Sequence, residues 1–91
     1  MFVMTIKVYI FGEDGFTNNT LVSSLSMLGF IVIGENDNDS VASKMIFNHQ
    51  PDVVVMHLDH ERIKALELAQ DVRKNFPDMG IVFISKSVDL R

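Results

Sequence analysis

The feature that most constrains this chain is an alternation between short apolar runs and segments of helical periodicity. Four runs of strand length consist mostly of apolar residues, at positions 6–11, 30–33, 53–56 and 81–84. The uninterrupted run at 53–56 is typical of a strand buried on both faces, because a half-exposed strand would alternate apolar and polar residues. Since strands that alternate with helices form parallel sheets, the pattern predicts an α/β fold.

Between these runs, apolar residues recur at spacings of three and four, which is the period of an amphipathic helix. The predicted inner faces are Leu21, Leu25 and Leu28 in the first helix, Val41, Met45 and Ile46 in the second, and Ile63, Leu66, Ala69, Val72 and Phe76 in the third. Gly29 ends the first helix, Pro51 follows the second, and Pro77 and Gly80 follow the third. We expect Asp39 or Ser40 to cap the second helix.

The element order is therefore β-α-β-α-β-α-β, and residues 1–91 form one domain. Because crossovers between parallel strands are right-handed, the simplest topology is a flavodoxin-like, doubly wound parallel sheet with strand order 2-1-3-4. In this order the run at 53–56 is a central strand.

Composition excludes several classes of function. The chain carries a net charge of −4 and no cysteine. A nucleic-acid backbone binds to basic surfaces, so we expect no direct nucleic-acid binding by this segment. Without thiolates there is neither a disulfide nor a cysteine metal site, and we predict no metal and no cofactor. No apolar run approaches the roughly 18–20 residues of a membrane span and no signal peptide precedes the domain, so we expect a cytoplasmic protein without membrane contact.

In such a sheet, ligands bind beyond the carboxyl ends of the strands, near the point where the strand order reverses. Polar residues follow three of the predicted strands there: Gly12, Glu13 and Asp14 after the first, His57 and Asp59 after the third, and Ser85 and Lys86 after the fourth. Carboxylates with a hydroxyl and a lysine could hold a hard cation and an anionic group. The alternative is that these are ordinary solvated loop residues.

The chain resembles the receiver domain of two-component response regulators. The resemblance extends over the whole chain and is clearest in residues 6–13, 29–35, 50–58 and 77–85. It implies that an acidic pair which binds Mg²⁺ corresponds to Gly12 and Glu13, that the aspartate which accepts a phosphoryl group corresponds to His57, and that a switch hydroxyl corresponds to Ser85. The family's fourth helix, fifth strand with its lysine, and fifth helix have no counterpart, so the resemblance is to a truncated receiver.

Two of the three carboxylates that the resemblance requires are replaced, by a glycine and an imidazole. Phosphoryl transfer needs a positioned nucleophile and a cation, and hard cations prefer oxygen ligands to imidazole. We therefore predict a degenerate receiver, or pseudo-receiver, that is not an enzyme and that acts in signal transduction or transcription regulation without phosphorylation.

Two alternative functions stay open. The chain could be the amino-terminal receiver part of a regulator with a helix-turn-helix domain. It could also be a small flavodoxin-like binder of phosphate or flavin, because residues 15–20 form a hydroxyl-bearing turn at the start of the first helix. In that segment, helix capping by Thr17 or Asn18 is the competing interpretation.

The fourth apolar run predicts an interaction surface. With no fifth strand beside it, the run formed by Ile81, Val82, Phe83 and Ile84 would expose unpaired backbone groups along the edge of the sheet. We therefore expect this edge to bind a protein partner or a second copy of the chain, as in a dimer.

Overall fold

The strands and helices of the computed structural model follow the predicted order. The structure describes residues 5–12, 15–58 and 62–85. The elements are β1 (Lys7–Phe11), α1 (Gly15–Met27), β2 (Ile31–Asn36), α2 (Asp39–His49), β3 (Val53–His57), α3 (Arg62–Asn75) and β4 (Gly80–Ile84). The largest difference from the prediction is in β2, which continues three residues beyond the predicted end, through Gly34 to Asn36.

The strands form one parallel sheet in the order β2-β1-β3-β4. Both the α/β class and the predicted flavodoxin-like strand order are therefore confirmed. The order places β1 and β3 in the middle, where their side chains are covered from both faces, and β4 at one edge of the described sheet. Among the described helices, none is long and apolar enough to cross a membrane.

The two faces of the sheet carry separate hydrophobic cores. On one face, side chains of β1 and β3 pack against α2 and α3. The strands contribute Tyr9, Phe11, Val54 and Met56 to this core, and the helices contribute Ile46 and Leu68. On the other face, Val8, Ile10 and Val55 pack against residues of α1 that are only half-buried: Leu21, Val22 and Leu25. Within the described ranges, two helices cover the first core and one covers the second, and burial on the α1 side is less complete.

The predicted inner faces of the helices are partly wrong. In α3 the buried residues are Ala65, Leu68, Ala69 and Val72, whereas Ile63 and Leu66 are exposed. In α2 the buried residues are Ala42 and Ile46, and Val41 is exposed. Leu28 lies beyond the end of α1 and is also exposed. The periodic pattern favours large apolar side chains, but the buried positions include Ala42, Ala65 and Ala69, because a small side chain fits where a helix packs closely against the sheet.

The helix ends also correct two predictions. Asn38 caps α2, rather than Asp39 or Ser40, because its side chain accepts hydrogen bonds from the backbone N–H groups of Ser40 and Val41 at 2.9 and 3.1 Å. Residues 15–20 are helical, so the predicted turn at these positions is wrong, and Thr17 and Asn18 lie inside α1 instead of capping it.

Candidate functional site

Three of the predicted site residues come together at the carboxyl edge of the sheet. Gly12 follows β1, His57 is the last residue of β3, and Ser85 follows β4. In the sheet register Phe11 pairs with Met56, which places Gly12 beside His57, and His57 pairs with Ile84, which Ser85 follows directly. Glu13, Asp14, Asp59 and Lys86 lie outside the described residues.

Gly12 packs so closely against His57 that a side chain at position 12 would overlap the side chain of His57. A Cβ atom on Gly12 would lie 2.6 Å from the Cβ of His57, and 2.9 and 3.0 Å from the Cδ2 and Cγ atoms of its imidazole. Gly12 also has φ +128°, a backbone conformation that side-chain-bearing residues rarely adopt. A carboxylate at position 12 is therefore excluded both by the backbone and by the volume that His57 fills.

The imidazole of His57 is buried, with 4% of its surface exposed. Apart from the phenol of Tyr9, it is the one buried titratable side chain among the described residues. A buried polar group is costly unless it is partnered, and His57, Gly12 and Ser85 each interact with their surroundings. The position that the resemblance assigns to a phosphoacceptor is thus occupied by a buried imidazole at the end of β3.

The backbone next to Gly12 is also engaged. The N–H of Gly12 donates a 3.0 Å hydrogen bond to the carbonyl of Asn36 at the end of β2. The side chain of Asn36 in turn accepts a hydrogen bond of 2.7 Å from the N–H of Asn38, which caps α2. The chain after β1 is therefore tied to the β2–α2 connection. The bond between Asn36 and Asn38 is local, but the bond between Gly12 and Asn36 joins distant parts of the chain and has no local signal in the sequence.

The described residues at this edge supply little that a cation could bind. Across the described ranges, no three His, Asp or Glu residues cluster in a way that could hold a metal ion. The close packing of a glycine against a histidine supplies no oxygen ligand, which Mg²⁺ requires. The sequence analysis places Gly12 and His57 at the same edge of the sheet but does not predict the close contact between them. The signal in the sequence that could have indicated this contact is a glycine, Gly12, next to a bulky residue, His57, on the neighbouring strand.

The predicted interaction edge is apolar and accessible. Phe83 and Val82 are 43% and 48% exposed, and Ile81 and Ile84 are half-buried. These residues alternate between the two faces of the sheet, so the edge presents apolar side chains on both.

Solved structures with a similar fold include a response regulator and a signal receiver domain. A response regulator from Thermotoga maritima has a TM-score of 0.81 and 26% identity, over 94% of this chain and 71% of that one. The signal receiver domain of a modulated diguanylate cyclase from Desulfovibrio desulfuricans G20 has a TM-score of 0.79 and 24% identity, over 93% and 68% of the two chains.

A longer protein is among the neighbours as well. The anti-anti-sigma factor PhyR from Bartonella quintana has a TM-score of 0.76 and 15% identity; 89% of this chain is covered, but only 33% of PhyR. No protein-family model and no curated protein matches the sequence. The strand order, the element order and these structural neighbours agree with the resemblance seen in the sequence. This chain therefore has the fold of a response-regulator receiver domain.

Proposed function

We propose that this chain is a receiver-type module of a signalling protein that acts through protein contacts and without aspartyl phosphorylation. It is a binding module rather than an enzyme, and its proposed compartment is the cytoplasm. The observation that carries the proposal is the contact between Gly12 and His57: with φ +128° at Gly12, a Cβ at position 12 would lie 2.6 Å from the Cβ of His57 and about as close to its imidazole, at 2.9 and 3.0 Å.

Two requirements of phosphoryl transfer support this reasoning. The reaction needs an in-line nucleophile that a donor can reach, and cations that neutralise charge on the transferring oxygens. His57 is almost fully buried, which restricts access to it. Gly12 has no side chain, so it contributes no carboxylate to a cation.

A second candidate is a receiver segment of a larger regulator, under the same phosphorylation-independent control. The favouring observation is that PhyR aligns with this chain over only a third of its own length. In that case the contacts of the receiver segment would act on other parts of the same protein.

The proposal is tested by amide NMR of the 91-residue chain, titrated with Mg²⁺ and then with beryllofluoride, which mimics an aspartyl phosphate in receivers. We expect a dispersed spectrum in which the amides of Gly12, His57 and Ser85 show no saturable shift. Saturable shifts at these amides would overturn the proposal.

The variant His57→Asp separates the effect of the missing acceptor at position 57 from that of the missing carboxylate at position 12, because it restores the first and retains Gly12. We expect His57→Asp to remain unresponsive to beryllofluoride, since position 12 still lacks a carboxylate. A response of His57→Asp would mean that the identity of the acceptor alone had disabled the site. A receiver with an intact acidic pair serves as the positive control.

A further inference from the structure

Asn36, the last residue of β2, is hydrogen-bonded in two directions through different atoms. Its backbone carbonyl accepts the 3.0 Å hydrogen bond from the N–H of Gly12 at the candidate site. Its side-chain Oδ1 accepts the 2.7 Å hydrogen bond from the N–H of Asn38. The orientation of Asn36 therefore bears on both the end of β1 and the start of α2.

The two hydrogen bonds of Asn36 are linked by covalent geometry. A side-chain oxygen that accepts from the N–H two residues further along closes an Asx turn. The ring of atoms in this turn runs from Oδ1 of Asn36 through its Cα and carbonyl carbon to the N–H of Asn38. The ψ angle of Asn36, which orients the carbonyl that binds Gly12, is thus restrained by the side-chain hydrogen bond.

The hydrogen bonds continue from Asn38 into the first turn of α2. The side chain of Asn38 accepts from the N–H groups of Ser40 and Val41 at 2.9 and 3.1 Å. N–H groups at the amino end of a helix have no partner within the helix, so the first turn depends on these bonds. Ser40 and Val41 are exposed, whereas Gly12 is buried. The series of bonds therefore runs from an exposed helical turn to the buried glycine of the site.

A β-bulge brings Asn36 to its place beside the site. The register between β1 and β2 shifts after Val8, and Ile33 is the extra residue on β2. Without the extra residue, Glu35 would lie opposite Phe11, whereas in the structure Asn36 lies there. A bulge re-aims the residues that follow it, and here it sets which residue bonds to the end of β1.

The packing of Tyr9 explains why the register shifts at this point. Gly34 lies opposite Tyr9, and a Cβ on Gly34 would lie 3.1 Å from Cε1 of the tyrosine ring. The ring is 1% exposed and has little room to move. In the regular register Ile33 would lie opposite Tyr9, so the shift puts a glycine where an isoleucine would crowd the ring.

We propose that Asn36 couples the first turn of α2 to the contact between Gly12 and His57, so that the turn and the contact rearrange together. A protein contact that opens or holds the exposed turn then changes the backbone at Gly12 and its packing against His57. Asn36 is a positioning residue, because it acts on His57 through Gly12. This inference rests on the proposed function, because it describes how a protein contact reaches the site of a module that acts without phosphorylation.

The test compares hydrogen exchange of the Gly12 amide in two variants of Asn36. Asn36→Ala removes Oδ1 and keeps the carbonyl that binds Gly12, whereas Asn36→Asp keeps an acceptor. Exchange of the Ile10 amide, in the middle of β1, serves as the reference for general destabilisation. Because one restraining hydrogen bond is lost, we expect Asn36→Ala to accelerate exchange at Gly12 about two- to fivefold relative to Ile10. Asn36→Asp should leave this ratio unchanged.

Two variants of α2 test whether the coupling starts at its first turn. Asn38→Ala removes the acceptor for Ser40 and Val41, and Lys44→Gly weakens α2 by a similar amount at an exposed position inside the helix. We expect Asn38→Ala to accelerate exchange at Gly12 relative to Ile10 and to shift the imidazole C–H signals of His57. Lys44→Gly should do neither.

Two outcomes would overturn the inference. Unchanged exchange at Gly12 in Asn36→Ala would mean that the two hydrogen bonds of Asn36 are independent. Equal effects of Asn38→Ala and Lys44→Gly would mean that Gly12 responds only to the general stability of α2. These measurements use neither Mg²⁺ nor beryllofluoride, so either outcome leaves the proposed function standing, whereas a response to beryllofluoride overturns the proposed function and leaves the exchange rates as they are.

Discussion

Replacing Gly12 by alanine tests directly whether the end of β1 can carry any side chain. Gly12 has φ +128°, and an added Cβ would lie 2.6 Å from the Cβ of His57. A residue forced into a sparsely populated backbone region costs about 1–3 kcal/mol. Overpacking against a neighbouring side chain costs about 1–3 kcal/mol more. We therefore expect Gly12→Ala to lower the free energy of unfolding by about 2–6 kcal/mol.

Gly29 provides the matched control for this variant. It also has a positive φ, of +94°, but an added Cβ there would meet no atom within 4 Å. Gly29→Ala therefore carries the backbone cost without the contact, and we expect a loss of about 1–3 kcal/mol. The difference between the two variants, measured by urea unfolding followed by circular dichroism, isolates the contact with His57.

A double-mutant cycle completes the experiment. His57→Gly removes the Cβ that Gly12→Ala would approach, so in this background the alanine should cost no more than it does at Gly29. The coupling energy between positions 12 and 57 should then be about 1–3 kcal/mol, in the range measured for residues in contact. If Gly12→Ala costs no more than Gly29→Ala in the wild-type background, the reasoning that His57 excludes a carboxylate at position 12 is refuted.

Three further predictions concern the fold. Leu68→Ala removes a side chain that is 4% exposed and should lower the free energy of unfolding by about 2–5 kcal/mol. Leu66→Ala, at an exposed position of the same helix, should lower it by less than about 1 kcal/mol. Equal losses of unfolding free energy in urea would contradict the observed buried face of α3. Asn38→Ala removes the acceptor for two N–H groups of α2 and should cost about 1 kcal/mol in thermal unfolding, while Asn38→Asp, which retains the acceptor, should cost little. Burial, with a smaller contribution from Glu35, raises the pKa of Tyr9 above its usual 10.0. The stability that Tyr9 contributes is thus complete below pH 10.0 and is lost as pH rises through the raised pKa. The near-ultraviolet absorbance of the phenolate reports this titration, because Tyr9 is the single tyrosine of the chain. Titration of the folded chain at the usual pKa would refute the prediction.

The sequence predicts the sheet better than it predicts the helix faces, for a physical reason. The run at 53–56 has apolar residues at every position, and only a central strand buries both of its faces, so its place in the sheet follows from the residues themselves. A helix buries a stripe whose centre depends on what it packs against. In α3 the stripe is centred on Ala65, Ala69 and Val72, and the periodic pattern alone also fits one drawn through Ile63 and Leu66.

The position of the site could likewise be read from the sequence, but its geometry could not. That the chain after β1 and the end of β3 meet follows from the strand order. The positive φ of Gly12 and its contact with His57 arise from the register between two strands more than forty residues apart along the chain. No local pattern encodes this contact, although the pairing of a glycine with a bulky residue is consistent with it.

The incorrect placement of Leu66 in the core depends on what lies next to α3. The pattern assigns Leu66 to the core because a leucine at helical spacing is usually covered by another element. In the described structure α3 covers β3 and reaches β4, and beyond β4 no further strand or helix of the described residues lies over Leu66 and Phe83. Leu66 is therefore apolar like a core residue but exposed like a surface residue within the described part of the chain. Because Leu66 is 44% exposed and Leu68 only 4%, the two leucine-to-alanine variants on the same helix should differ clearly in their free energies of unfolding, although the periodic pattern treats Leu66 as the core residue.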